Sequence, residues 1–200
     1  MDERIKRIFL EWTRGQNAIQ ARVSIYHRIR NIPYAVIPEL ADGRRYVEIL
    51  RYGRGSCTPK HFLLGDMYQK LGLLVLYAVY PYRWDESTTE YPRRLKKLAE
   101  AMPTSHHLAC RVDINGQLVL IDATLDPALK ALGAPVNEEW DGISDTILPI
   151  NPCGEEQLYH PSEAHLMPPR QDDENSLAFY REFNRWLDKA RRSPGTRGIE

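Results

Sequence analysis

No apolar run in this chain approaches the roughly 18 residues that a membrane-spanning helix requires. The longest, Leu71 to Pro81, is broken by Gly72 and reads as a strand, so a membrane protein by span is excluded. An excess of either charge is also missing, since 27 Lys plus Arg offset 27 Asp plus Glu across 200 residues. A neutral chain has no overall field to draw it onto nucleic acid or an anionic membrane surface, and neither is expected as a partner. Cysteine is scarce and odd in number, with only Cys57, Cys110 and Cys153. That count argues against a disulfide framework and fits a reducing compartment. The opening Met1-Asp2-Glu3-Arg4-Ile5-Lys6-Arg7 lacks the charged, apolar and small-residue order of a secretory signal, so a cytoplasmic location is expected. No repeat and no polar linker divides the sequence, which predicts one domain over residues 1–192 and a flexible tail at 193–200. What the chain does hold, 42% hydrophobic and 27% charged residues, suffices for one sizeable core.

From Asp2 to Trp12 the apolar Ile5, Ile8, Phe9 and Trp12 recur at three and four, one face of an amphipathic helix that Gly15 closes. A second helical stretch from Asn17 groups Ile19, Val23, Tyr26 and Arg30 and stops before Pro33, whose ring disfavours helix in the residue ahead. Asn31 to Tyr52, with an Asp42-Gly43 turn, reads as loop with a short piece near Tyr46 to Leu50. Thr58 to Leu71 is a helix with Pro59 in its first turn and a stripe of Phe62, Leu63, Met67 and Leu71. Leu73 to Tyr80, apolar throughout, is a strand buried on both faces that Pro81 ends. Tyr91 to Met102 is a basic helix with Leu95, Leu98 and Ala99 inward and its charges solvated. Asn115-Gly116 between two runs, His107 to Asp113 and Gln117 to Asp122, specifies a tight hairpin. Pro127 to Leu132 reads as a helical turn or two and Ile147 to Ile150 as a last short strand. The proline-rich stretch from Pro149 to Asp173 wraps the surface, and Asn175 to Arg192 is an amphipathic helix on Leu177, Tyr180, Phe183, Trp186 and Leu187. The organisation is therefore N-terminal helices over 2–30, a core over about 32–150, and a C-terminal loop and helix over 151–192.

Cys57 stands at a Gly-flanked turn into a helix, where free backbone N–H groups and the positive end of the dipole favour thiolate over thiol. The same N–H groups are placed to hold the oxyanion of a tetrahedral intermediate. His107 opens the first hairpin strand and Asp122 closes the second, so the turn near residue 115 brings imidazole and carboxylate close to opposite one another. A base and its orienter are thus placed together by spacing alone. Of the neighbours His106 and His107, only one can face Cys57, because successive strand residues point to opposite sides. Leu108, Cys110 and Val112 make the buried face, which leaves His107 on the more open one. A zinc site from His106, His107, Cys110 and Cys153 is disfavoured by the same alternation. His160 and His165 are read as exposed loop residues. No metal or cofactor is expected.

Gly55-Ser56-Cys57 opening a helix, His107-Leu108-Ala109-Cys110-Arg111-Val112 opening a strand, and Leu120-Ile121-Asp122-Ala123-Thr124 closing the next, with Pro127 shortly after, resemble the core of the transglutaminase-like superfamily. The resemblance spans roughly Ile32 to Pro127 and lies in the order and spacing of three elements. It implies an α+β, papain-like fold: a central helix carrying Cys57 packed on an antiparallel sheet carrying His107 and Asp122, with flanking N- and C-terminal helices. It casts Cys57 as nucleophile, His107 as general base and acid, and Asp122 as the group that orients the imidazole. Arg54-Gly55-Ser56-Cys57 is also partly similar to the cysteine turn of arylamine acetyltransferases. The chain departs from many superfamily members in having Ala109 where they have a Trp after the histidine, and Leu118 and Val119 where they have a Trp in the second strand.

The resulting expectation is a thiol-dependent hydrolase, peptidase or amidase in type, that passes through an acyl-enzyme on a peptide or a small amide or thioester. Three alternatives stay open: an acyltransferase with an amine acceptor, one using acyl-CoA, and a binding module with a protein partner on the same scaffold. A side chain completing the oxyanion hole is sought upstream, at Tyr34 or Tyr52, with Ser56 and His106 as further cleft residues.

Overall fold

The computed structural model describes residues 3–41, 43, 45–87, 89–170 and 172–192. Asp42 of the expected turn, Asp2 at the expected helix start and the tail at 193–200 lie outside them. The chain is a mixed α+β structure built on an open four-stranded antiparallel sheet.

Helix α1 (Glu3–Thr13) and helix α2 (Ala18–Arg30) form an N-terminal hairpin. Asn17 caps α2 by accepting the Gln20 N–H while the Gln20 side chain accepts the Asn17 N–H, a reciprocal cap that fixes the start of the helix. A short helix, α3 (Ile49–Tyr52), ends the irregular segment that precedes the central helix α4 (Cys57–Lys70). Ten of the fourteen α4 residues are buried, so it is covered on all sides rather than along the single stripe that the spacing predicts.

Strand β1 (Val75–Tyr82) pairs with β2 (Ser105–Ile114), β2 with β3 (Gln117–Ile121), and β1 on its other edge with β4 (Gln157–Tyr159), giving the order β3-β2-β1-β4. The β2–β3 turn is Asn115-Gly116 with φ of 56° and 82°, both left-handed, as a two-residue hairpin turn requires. Helix α5 (Arg93–Glu100) buries Leu95 and Ala99 as its spacing predicts, and the chain closes with α6 (Glu174–Arg192).

Several expectations are corrected. Pro81 lies within β1, opposite His106; the ladder to β4 covers only Tyr77 to Val79, so the missing N–H of Pro81 interrupts no pairing on that edge. Ile147 to Ile150 is not a strand; Leu148 and Ile150 instead pack on the sheet against Ala78, Tyr80, Ala109 and Leu120. The fourth strand comes from inside the proline-rich stretch. On α6 Tyr180, Phe183 and Leu187 are buried as expected, but Phe179 joins them where the spacing predicts Leu177, and Leu177 is 40% exposed.

Besides that small cluster around Ala78 and Tyr80, the core has two larger parts. Leu108, Cys110 and Val112 pack with α2 and α4 residues including Tyr26, Leu63, Met67 and Tyr68. A second, aromatic cluster of Tyr34, Tyr82, Trp84, Phe179, Tyr180 and Phe183 ties α5 and α6 to the end of β1. The sheet is therefore covered on both faces, and the face carrying His107 is not the open one expected, since Ala109 and Leu120 beside it are buried too.

Candidate functional site

The turn before Cys57 is held by backbone pairing. Gly55 N–H donates to Pro33 O at 3.1 Å and Ala35 N–H donates to Gly55 O at 3.1 Å, so Tyr34 and Gly55 form a parallel bridge. A Cβ on Gly55 would lie 2.7 Å from Ile49 Cδ1, which leaves glycine as the residue that fits. Ser56 is the N-cap of α4, extended and 5% exposed, and its side chain caps no N–H group. Cys57 is thus the first residue of a fourteen-residue helix whose leading amides carry no side-chain cap.

The register of the hairpin differs from the expected one. Cys110 faces Ile121 and Ile114 faces Gln117, which puts Asp122 across from Ala109, two residues along from His107. The two side chains then meet diagonally on one face, and Asp122 Oδ2 accepts from His107 Nε2 at 2.5 Å. The other ring nitrogen of His107 is left for Cys57, and the two groups lie close enough to act on each other's ionisation. Exposures of 8% for Cys57, 3% for His107 and 1% for Asp122 place all three inside the protein.

Burial by itself would raise the Cys57 thiol pKa, but the neighbouring His107 charge and nearby polar groups outweigh burial, and the thiol lies below its ordinary value. Burial would lower His107, but Asp122 and the Cys57 thiolate outweigh it and raise the imidazole to about 10. For Asp122 the His107 charge likewise overcomes burial and holds the carboxyl below its usual range. All three directions favour a thiolate facing an imidazolium over a neutral pair.

A supporting layer holds the aspartate. Asp122 Oδ1 accepts the Thr124 N–H at 2.9 Å, and the Asp122 N–H donates to Thr146 Oγ1 at 2.7 Å. Tyr26 OH donates to the Asp122 carbonyl at 3.2 Å. From α4, Lys60 Nζ donates to the carbonyls of Arg30, Ala123 and Thr124 at 3.0, 3.3 and 2.6 Å. Lys60 and His61 are fully buried and join the cysteine helix to the segment after β3. Sequence reasoning missed both; the available signal was two polar residues, three and four places after Cys57, inside an apolar helix stripe.

Of the expected cleft residues, Tyr34 and Ser56 are in place and Tyr52 and His106 are not. Tyr34 is 6% exposed, and burial first, then the Cys57 charge, pushes its phenol well above the ordinary value. Tyr52 is 40% exposed at the end of α3, where its ring lies 4.8 Å from the Arg51 guanidinium, because Gly53 turns the chain away from the cleft. His106 is exposed, on the side of the strand opposite to His107. Also missed, on the cleft side, was Tyr82, whose ring stands edge-on to His107 at 6.4 Å. A cavity of about 60 Å³ adjoins His107 and is walled by Tyr34, Tyr82, Trp84, Tyr91, Phe183 and Trp186.

Among the described residues no group of three or more His, Cys, Asp or Glu side chains is placed to hold a metal ion, and no helix is long and apolar enough to cross a membrane. Cys57, Cys110 and Cys153 are free thiols, the last exposed. No protein-family model, no curated protein and no solved structure matches the chain.

Proposed function

We propose that this protein is a thiol-dependent hydrolase with a papain-like, transglutaminase-like core, acting on an amide or thioester through an acyl-enzyme. The observation that carries this reading is the buried His107–Asp122 hydrogen bond with Cys57 beside it at the N-terminus of α4, near enough that the His107 charge lowers the thiol pKa. In it His107 holds the proton of the Cys57 thiol, and the thiolate adds to the substrate carbonyl carbon. The leading amides of α4 are positioned to receive the oxyanion. The imidazolium then gives its proton to the leaving nitrogen or sulfur as the carbonyl–heteroatom bond breaks. Water, deprotonated by His107, attacks the thioester formed on Cys57 and releases the acid and the thiolate. Asp122 keeps the ring oriented and offsets its charge. An amine in place of water would make the same acyl-enzyme a transferase.

The test is labelling by limiting iodoacetamide between pH 5 and 9, with peptide mapping. Cys57 is expected to react at acidic pH, well below the roughly 8.5 of an ordinary thiol, while exposed Cys153 does not. Equal, slow labelling of both would remove the mechanism.

A further inference from the structure

The aromatic cavity beside His107 is not needed to assemble the three reacting side chains, yet it is built with care. Tyr82 and Trp84 meet edge to face at 5.2 Å, Trp84 and Phe183 at 5.2 Å, and Tyr91 and Trp186 at 5.5 Å and 90°. Such an edge-to-face cage offers a further ring the geometry that aromatic pairs prefer. The volume of about 60 Å³ is several times the roughly 10–15 Å³ that one water requires. Two lining residues carry ionisable cationic groups, Arg83 and His107. Arg83 is held by Asp85 at 2.8 Å and Glu86 at 3.2 Å, and His107 by Asp122. A charged substrate group entering here would lose its hydration without meeting a free counter-charge. Thr124, which also lines the cavity, has a buried Oγ1 with no hydrogen-bond partner, so the chain itself leaves this space unfinished.

We propose that this cavity is the specificity pocket of the site and takes an uncharged aromatic side chain adjoining the carbonyl that Cys57 attacks. The inference rests on the hydrolase reading for its chemistry, but the pocket can be tested apart from it. Of the reacting side chains His107 lines the cavity, and the cavity walls Tyr34 and Tyr82 stand beside Cys57 and His107, so a ring seated between Trp84 and Trp186 leaves its attached carbonyl toward the cysteine end.

The experiment measures labelling of Cys57 by four N-acetylated chloromethyl ketones that differ only in side chain: those of phenylalanine, alanine, aspartate and lysine. In each, the thiolate displaces chloride and a carbon–sulfur bond forms, and exposed Cys153 serves as the internal reference. The phenylalanine reagent is expected to label Cys57 about tenfold faster than the alanine reagent, or more, with no such preference at Cys153. Equal rates, or fastest labelling by the aspartate or lysine reagent, would overturn the proposal. Ala134→Trp narrows the cavity and is expected to bring the phenylalanine-to-alanine ratio toward one. Should that variant not fold, phenylacetamide, and not acetamide, is expected to protect Cys57 of the unaltered protein. If Cys57 reacts with iodoacetamide no faster than Cys153, the hydrolase reading fails, and titration of tryptophan fluorescence with phenylacetamide decides the pocket alone. Saturable quenching upholds it, and its absence removes it.

Discussion

The ring of His61 accepts the Ala123 backbone N–H on Nε2 at 3.0 Å, which fixes the proton on Nδ1, where it is donated to the Cys57 carbonyl at 2.9 Å. One neutral imidazole thus joins the first turn of the cysteine helix to the residue that follows Asp122. Burial outweighs the attraction of Asp122 and lowers its pKa from 6.5 to about 4.

That shift sets a pH dependence of stability. Between pH 6.5 and about 4 the unfolded chain takes up a proton on this ring and the folded chain does not, so stability falls as the pH falls through that window. The loss amounts to about 3 kcal/mol by pH 4. Denaturant titrations of wild type and His61→Gln across this range should show the variant without this part of the acid slope.

His107 and His106 are separable by reactivity. Returning Cys57 to an ordinary thiol near pKa 8.5 leaves about 0.3% thiolate at pH 6. His107→Ala should therefore slow its alkylation at pH 6 severalfold or more, whereas exposed His106→Ala should not. Asp122→Asn is expected to slow turnover of an amide or thioester less than Cys57→Ser does. The reverse behaviour of the two histidines would exchange their roles.

Lys60 presents three N–H groups to three backbone carbonyls, a match that only the ammonium form completes. Lys60→Met should cost about 3 kcal/mol, because it leaves buried acceptors unmet. Since Ala123 and Thr124 follow Asp122 directly, it should also lower the alkylation rate of Cys57. Unchanged stability by thermal denaturation would show that the carbonyls find other partners.

Asn115 adopts φ of 56° at the tip of the hairpin. Asn115→Ala should cost about 1 kcal/mol through left-handed strain, and Asn115→Gly should be near neutral. Labelling of Cys57 should be unaffected by either, since the turn lies at the far end of β2 and β3 from His107.

Much of this arrangement was readable from the chain. The Asn115-Gly116 turn, the α4 stripe and the ends of β2 and β3 are written in local chemistry, and they brought His107 and Asp122 together even though the register differs by two residues. What could not be read was set by distant contacts. Pro81 stays in β1 because β4 stops short of it, and β4 itself is three residues in a proline-rich stretch with no periodicity to announce it. Leu177 and Phe179 fit the helical spacing of α6 equally well, and the aromatic cluster around Trp84 chose the second. Tyr52 and Tyr82 are equally aromatic in sequence; the left-handed Gly53 turns one outward, and strand pairing with β2 keeps the other beside His107.

Arg191 of α6 donates to Asp126 at 2.6 Å and to the Tyr34 carbonyl at 2.8 Å, and Asp126 in turn accepts the Tyr34 N–H at 2.7 Å. Phe183 and Trp186 of that helix wall the cavity, so the cavity is closed by the part of the chain made last among the described residues. During synthesis Phe183 and Trp186 leave the ribosome after Cys57, His107, Asp122 and the other aromatic walls. The nascent protein therefore carries its buried thiol for a time beside a cavity open on one side, and docking of α6 is the step that closes it.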